Sequence, residues 1–248
     1  MTVSSSVAEA TGFAIAEIRR ILEPRGVVDG PFHAFKAGHM PDKGPAWYSA
    51  NVFNGLDDAE IDELEAELDF PIPEQTEAHI PAPLRAFLRV TNGLECHALS
   101  IYGDAAKIEH AVAAPISLRY GQYPTERAPD IPRTWFGFGA INGPWASQGL
   151  LYLTEAEEVV LAHRDTGQVG ARWHDLSDFL VSEIPRQLAV HDPDGDLRAG
   201  CAVLPGETSD WEEIARRADA DRSAETTVTT RMKRWWKKML SGDTPPRG

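Results

Sequence analysis

From Leu56 to Gly93 apolar residues fall at helical spacing twice, on either side of a proline-rich link. Ile61, Leu64 and Leu68 define one buried stripe. Asp58, Asp62, Glu63 and Glu67 lie mainly away from that stripe, so they must face water or a partner. Asp57 stands where a helix N-cap belongs, and Glu60, three positions on, completes a capping box. Leu56 and Ile61 sit where a hydrophobic staple forms. Pro71 and Pro73 stop this helix. A second helix follows Pro81 and Pro83, with Leu84, Phe87 and Leu88 inward. Asn92-Gly93 supplies a left-handed terminator.

The same reading extends outward in both directions. An N-terminal helix is predicted from about Val7 to Leu22, with Phe13, Ile18, Ile21 and Leu22 on or near one side, ended by Pro24 and Gly26. Up to Asn54 the chain is rich in Gly, Pro and aromatics, and Phe32, Phe35, Trp47, Tyr48 and Phe53 read as packing anchors rather than a ligand cage. Helices followed by strands and one closing helix predict an α+β fold, a mostly antiparallel sheet with helices packed against it. Past Val190 the character changes. His191 to Asp196 reads as a tight turn that imitates a calcium loop, but its Gly falls too early and its twelfth position is Val203 rather than Glu. A short helix is expected from Ser209, with Glu212 as capping partner and Trp211, Ile214 and Ala218 inward, and then a linker from Ala220 to Thr230.

The last element divides cleanly. Met232, Trp235, Trp236, Met239 and Leu240 recur at i, i+3, i+4, i+7 and i+8, while Arg231, Lys233, Arg234, Lys237 and Lys238 fall on the other side. About ten residues are marginal as an isolated helix, so this tail is expected to order on contact. An anionic membrane surface, an apolar groove on a partner, and the protein's own acidic body all remain open as its target.

Charge sharpens the picture. The 248 residues carry a net charge of −14. Residues 231–248 hold six Lys or Arg against one Asp, so the rest of the chain stands at −19. Between Asp57 and Glu77 there are ten Asp or Glu and no Lys or Arg. A body this acidic repels nucleic-acid phosphates and steers a basic partner towards itself. No apolar run approaches the roughly 20 residues that span a bilayer. Residues 1–6 show neither the basic start nor the apolar core of a secretory leader, so a cytoplasmic location is expected. Cys96 and Cys201 are far apart without metal-type spacing and are expected as reduced thiols.

Catalytic patterns are missing from the sequence. The eight histidines (33, 39, 79, 97, 110, 163, 174 and 191) give no pair at the i, i+4 spacing of a helical zinc site. Ser147 lacks the flanking glycines of a nucleophile elbow. Cys96 and His97 are sequence neighbours, which does not by itself bring imidazole to thiol. Neither a P-loop nor a dinucleotide fingerprint occurs. No cofactor or metal is expected, and the chain reads as non-enzymatic.

The order of these signals resembles the SUKH superfamily, which includes fungal cell-wall-synthesis regulators and bacterial immunity proteins. The resemblance is carried by Leu56, the acidic Glu60-to-Glu65 core, the proline link, Phe87-Leu88 and Asn92-Gly93. Further on it is carried by Leu99 to Gly103, Trp135 to Gly139, Val159 to His163, the turn at Gly167 and a helix from Leu176 to Ile184. Gly139-Ala140-Ile141-Asn142-Gly143 and Leu150 to Thr154 stand where the family often has a Gly-Asp turn and a Tyr-x-Asp strand, so the family's partner does not carry over. The resemblance implies a SUKH-like domain over 55–190. It is preceded by a helical and aromatic extension (1–54) and followed by a C-terminal extension with the basic tail (191–248). The function implied is an immunity protein that binds and neutralises a toxin, and the acidity suits a basic one. Asp58, Asp62, Glu63 and Glu67 are the candidate partner-binding residues, and Met232, Lys233, Arg234, Trp235, Trp236, Lys237 and Lys238 the candidate tail contacts. The alternative is a regulatory or scaffold protein anchored by that tail.

Overall fold

The computed structural model describes residues 3–30, 33–43, 47–68, 79–105, 115–123, 126–142, 148–192 and 194–205. Four helices are described: α1 (Val3–Leu22), α2 (Asp58–Glu67), α3 (Ala82–Val90) and α4 (Leu176–Val190). Nine strands are described, three between α1 and α2 and six between α3 and α4: β1 (Val27–Val28), β2 (His33–His39), β3 (Tyr48–Phe53), β4 (Leu94–Cys96), β5 (Leu99–Ile101), β6 (Phe136–Asn142), β7 (Gln148–Leu153), β8 (Val159–His163) and β9 (Val169–Trp173). All nine join one antiparallel sheet in sequential order, so each strand pairs with its chain neighbour. The α+β architecture and its antiparallel sheet are as expected.

Period-2 alternation assigns the faces. Arg19 of α1 lies over the Phe35 ring at 5.3 Å, and Phe179 of α4 meets Phe138 and Trp173 edge-on at 6.1 and 4.9 Å. The helices thus cover the face that carries Phe35, Phe138 and Trp173. α1 packs on both α3 and α4, burying Val7, Ala14 and Ile18 against Leu84, Phe87, Leu180 and Ile184. The opposite face carries the cross-strand row Lys36, Asn51, Glu95 and Ser100. Further along the sheet, β8 is buried at every position, and residues 118–123 and 126–135 lie against β6 and β7. Tyr152 Oη accepts from the Ala128 amide at 3.0 Å, and the Arg127 guanidinium lies over that ring while donating to the carbonyls of Pro132 and Trp135.

Two expectations about boundaries change. Residues 1–54, expected as an extension, supply α1 and the first three strands of the common sheet, with β3 paired directly to β4. Phe35, Ala37, Ala50 and Val52 are core residues. The Gly- and Pro-rich composition here marks hairpin turns, and only alternate strand positions are apolar, which weakens any periodic signal. The second correction concerns Asn92-Gly93. α3 ends at Val90, and Thr91 is already extended. Gly93 does have positive φ (85°), but as part of the entry to β4. The Asn92 amide instead clamps the backbone of Asp104, donating to its carbonyl at 3.0 Å and accepting from its amide at 2.6 Å.

Beyond α4 the chain continues as a strap, residues 191–205, closed over the body. Arg25 pairs with Asp194 at 3.0 Å and Lys43 with Asp196 at 2.9 Å. Val203 and Leu204 enter the core. The helix expected from Ser209, the linker and the basic tail from Arg231 lie outside the described residues.

Candidate partner-binding surface

α2 forms where its caps dictate. Asp57 accepts from the Glu60 amide at 2.9 Å, and Glu60 accepts from the Asp57 amide at 2.9 Å, so both halves of the capping box are made. Leu56, Ile61, Leu64 and Leu68 are buried together. With that stripe fixed inward, helical spacing leaves the carboxylates outside.

They do not all face open water. Arg85 and Arg89, one helical turn apart on α3, reach across to α2. Arg89 pairs with Asp58 at 2.7 Å, while Arg85 pairs with Asp62 and also with Glu65, the latter at 2.8 Å. Glu65 additionally accepts from the Ile80 amide, which ties the far end of the proline link to α2. Arg119, on the short 3-10 turn Leu118–Gln122, pairs with Glu67. The hydrogen bond that Arg85 donates to Asp62 leads the causes that raise the Arg85 pKa above its ordinary value; the negative charges of Glu65, Asp62 and Asp58 add to it, against burial.

The carboxylates keep most of their surface nonetheless. Asp58, Asp62 and Glu67 side chains are 70%, 65% and 52% exposed, and Glu63 is exposed beside them. From Asp57 to Glu67 there are seven carboxylates. Among the described residues three guanidiniums pair with them, so carboxylates outnumber their arginine partners. A carboxylate presents about four lone-pair positions, so one bound to a single arginine still accepts from a second donor. The three arginines were not singled out from sequence. Arg85 and Arg89 are marked in the sequence by their i, i+4 spacing opposite the Leu84–Phe87–Leu88 stripe, whereas Arg119 carries no such signal.

Elsewhere titratable groups serve the fold. Tyr120 hydrogen-bonds with Glu126, which raises its pKa, and Glu126 pairs with Arg164 at 2.6 Å. Burial pushes the Tyr102 hydroxyl and the Cys96 thiol up from their ordinary values. Cys96 and Cys201 are both free thiols. The Ser49 hydroxyl is buried without a hydrogen-bond partner, so no imidazole stands ready to take its proton. In the calcium-like run, Asp192 accepts from the amides of Asp194 and Asp196 at 2.8 and 3.0 Å, while those two side chains turn away to Arg25 and Lys43. Among the described residues no group of three or more His, Cys, Asp or Glu is placed to hold a metal ion, and no helix is long and apolar enough to cross a membrane. Ser147 and the tail positions Met232, Lys233, Arg234, Trp235, Trp236, Lys237 and Lys238 lie outside the described residues.

Comparison with known proteins returns no matching family model, no matching curated protein and no matching solved structure.

Proposed function

We propose that this protein is a non-enzymatic binding module with a SUKH-like domain, an immunity protein that neutralises a basic toxin by covering its cationic substrate cleft. The observation that carries this reading is the α2 ladder: exposed carboxylates in excess, set on a buried apolar stripe and held in register by Arg85, Arg89 and Arg119. An array already ordered in the free protein loses less side-chain entropy on binding than floating surface acids. Lys and Arg of a partner would approach the remaining lone pairs of Asp58, Asp62 and Glu67, beside the exposed Glu63. Long-range attraction from the acidic body would raise the encounter rate. Inhibition then requires no bond to be made or broken, only occlusion.

The experiment is growth rescue. The protein is co-expressed with the toxin-like product of a neighbouring gene, and the complex is measured by calorimetry. Rescue by the wild-type chain, and loss of rescue with at least tenfold weaker binding for Asp62→Lys/Glu63→Lys, are expected. Undiminished affinity in that folded double variant removes α2 from the interface. A stable complex without rescue removes neutralisation.

A further inference from the structure

The strap is joined to the body by a pair of histidines. His191 caps the C-terminus of α4 and opens the strap; His97 lies in the turn between β4 and β5. Their rings stack face to face, with centroids 4.4 Å apart and planes 2° from parallel. Cys96 pairs with Leu99, so His97 and Ala98 form a two-residue hairpin loop, and His97 sits there at φ 52°. Glycine is the ordinary occupant of such a position, and a bulky side chain there is strained. The left-handed backbone tolerates histidine better than most side chains, and the imidazole it presents is engaged in the stack. His191 is held from its other side: Nδ1 lies 2.8 Å from the Gln187 carbonyl oxygen. Nδ1 must therefore carry a proton, and the neutral ring keeps Nε2 bare.

We propose that the stacked pair is a proton-operated clasp: two neutral rings hold the strap closed, and proton uptake by either ring parts them and frees it. Proton uptake places positive charge in a contact between like rings that is buried at His191 and half-buried at His97, where desolvation disfavours the charged form. The groups around the pair come from every neighbouring element. Asp192 on the strap favours a charged ring; its carboxylate is committed to the amides of Asp194 and Asp196. Lys43 from the β2–β3 turn and Arg186 from α4 oppose it. Arg186 is itself tied to Glu183 at 2.6 Å, and Cys96 beside His97 stays a neutral thiol. Arg198 donates to the His191 carbonyl at 3.0 Å. Burial, aided by the facing ring, pushes His97 down to about 3, and burial lowers His191 as well.

The sign follows from that lowering. Both rings are neutral in the closed state but take up a proton near pH 6.5 once exposed, so closure is fully stable above that pH and is lost as pH falls towards the closed-state values. One exposed ring multiplies the open population by about 30 at pH 5.0.

The test is amide exchange of the full-length chain by NMR at pH 7.5 and 5.0, as protection relative to intrinsic rates at each pH. Arg198 reports directly, because its amide bonds to the Val190 carbonyl at 2.8 Å. Its protection is expected to fall by about 30-fold or more while amides of β7 hold. In His97→Gly/His191→Gln, where glycine suits the turn, that fall is expected to shrink below threefold. A wild-type change under threefold overturns the clasp, as does an equal fall in the double variant. Direct titration of both rings in the wild type keeps the question decidable if the variant does not fold: native titration at or above pH 6 with Arg198 protection intact is equally fatal.

Discussion

Two glycines show how tightly single positions are constrained. Gly121 and Gly137 face each other where the 3-10 turn meets β6, and a Cβ on Gly137 would lie 2.3 Å from the Gly121 carbonyl oxygen. Gly137→Ala must push that turn away, and with it the bond from Gln122 to the Gly137 carbonyl. A loss of about 2 kcal/mol, or a Tm lower by roughly 4–8 °C, is expected by calorimetry. Gly12 is the contrast. It lies inside α1, and nothing stands within 4 Å of a Cβ built there. Gly12→Ala is expected to raise stability by roughly 0.5–1 kcal/mol through helix propensity alone. Glu95 gives the pH counterpart. Burial raises its pKa, although Asn51 donates to it at 2.6 Å. A carboxyl whose folded pKa is raised destabilises the fold above that pKa and ceases to do so once protonated. Glu95→Gln should therefore raise Tm at pH 7 and bring progressively less advantage as pH falls towards 4.

At the scale of elements, legibility followed the strength of local signals. The capping box of α2 could be read because caps are local, while β8 and the start of α4 at Leu176 fall where the family resemblance implied a strand and a helix. β1 to β3 could not, since a hairpin in a Gly- and Pro-rich stretch gains its stability from α1 and β4, which are distant in sequence. The arginine ladder was illegible for the same reason: residues 58 and 89 become neighbours only once α2 and α3 pack. The strap was only partly visible, as a turn. Its anchor is Arg186, which donates to the carbonyls of Ala202 (3.0 Å) and Val203 while paired with the buried Glu183. Removing that guanidinium leaves the buried Glu183 carboxylate with the bond from the Gln187 amide but without its cation, and cuts the link from α4 to the strap carbonyls. Arg186→Ala is expected to cost about 3 kcal/mol, measured by urea unfolding, with faster proteolysis after Ala202. Asp57→Ala removes only a cap from an exposed helix end, and about 1 kcal/mol is expected.

At the scale of the molecule, the charge of −14 could be read at once, but its distribution could not. Folding sets part of the acid against arginines and leaves the surplus on α2, so total charge overstates the local field while the ladder gives it an address. The two contributions respond differently to salt. Diffuse attraction is screened over about 10 Å at 0.1 M ionic strength, whereas contacts at a desolvated ladder survive. For a basic partner, raising salt from 50 to 500 mM should slow association at least tenfold and leave dissociation nearly unchanged. Asp62→Lys/Glu63→Lys should do the reverse in part, because it breaks contacts as well as the field: dissociation accelerates, and added salt does not rescue it. Stopped-flow measurement of both rates separates the cases. Salt and charge reversal acting only on the association rate would mean that α2 attracts the partner without touching it.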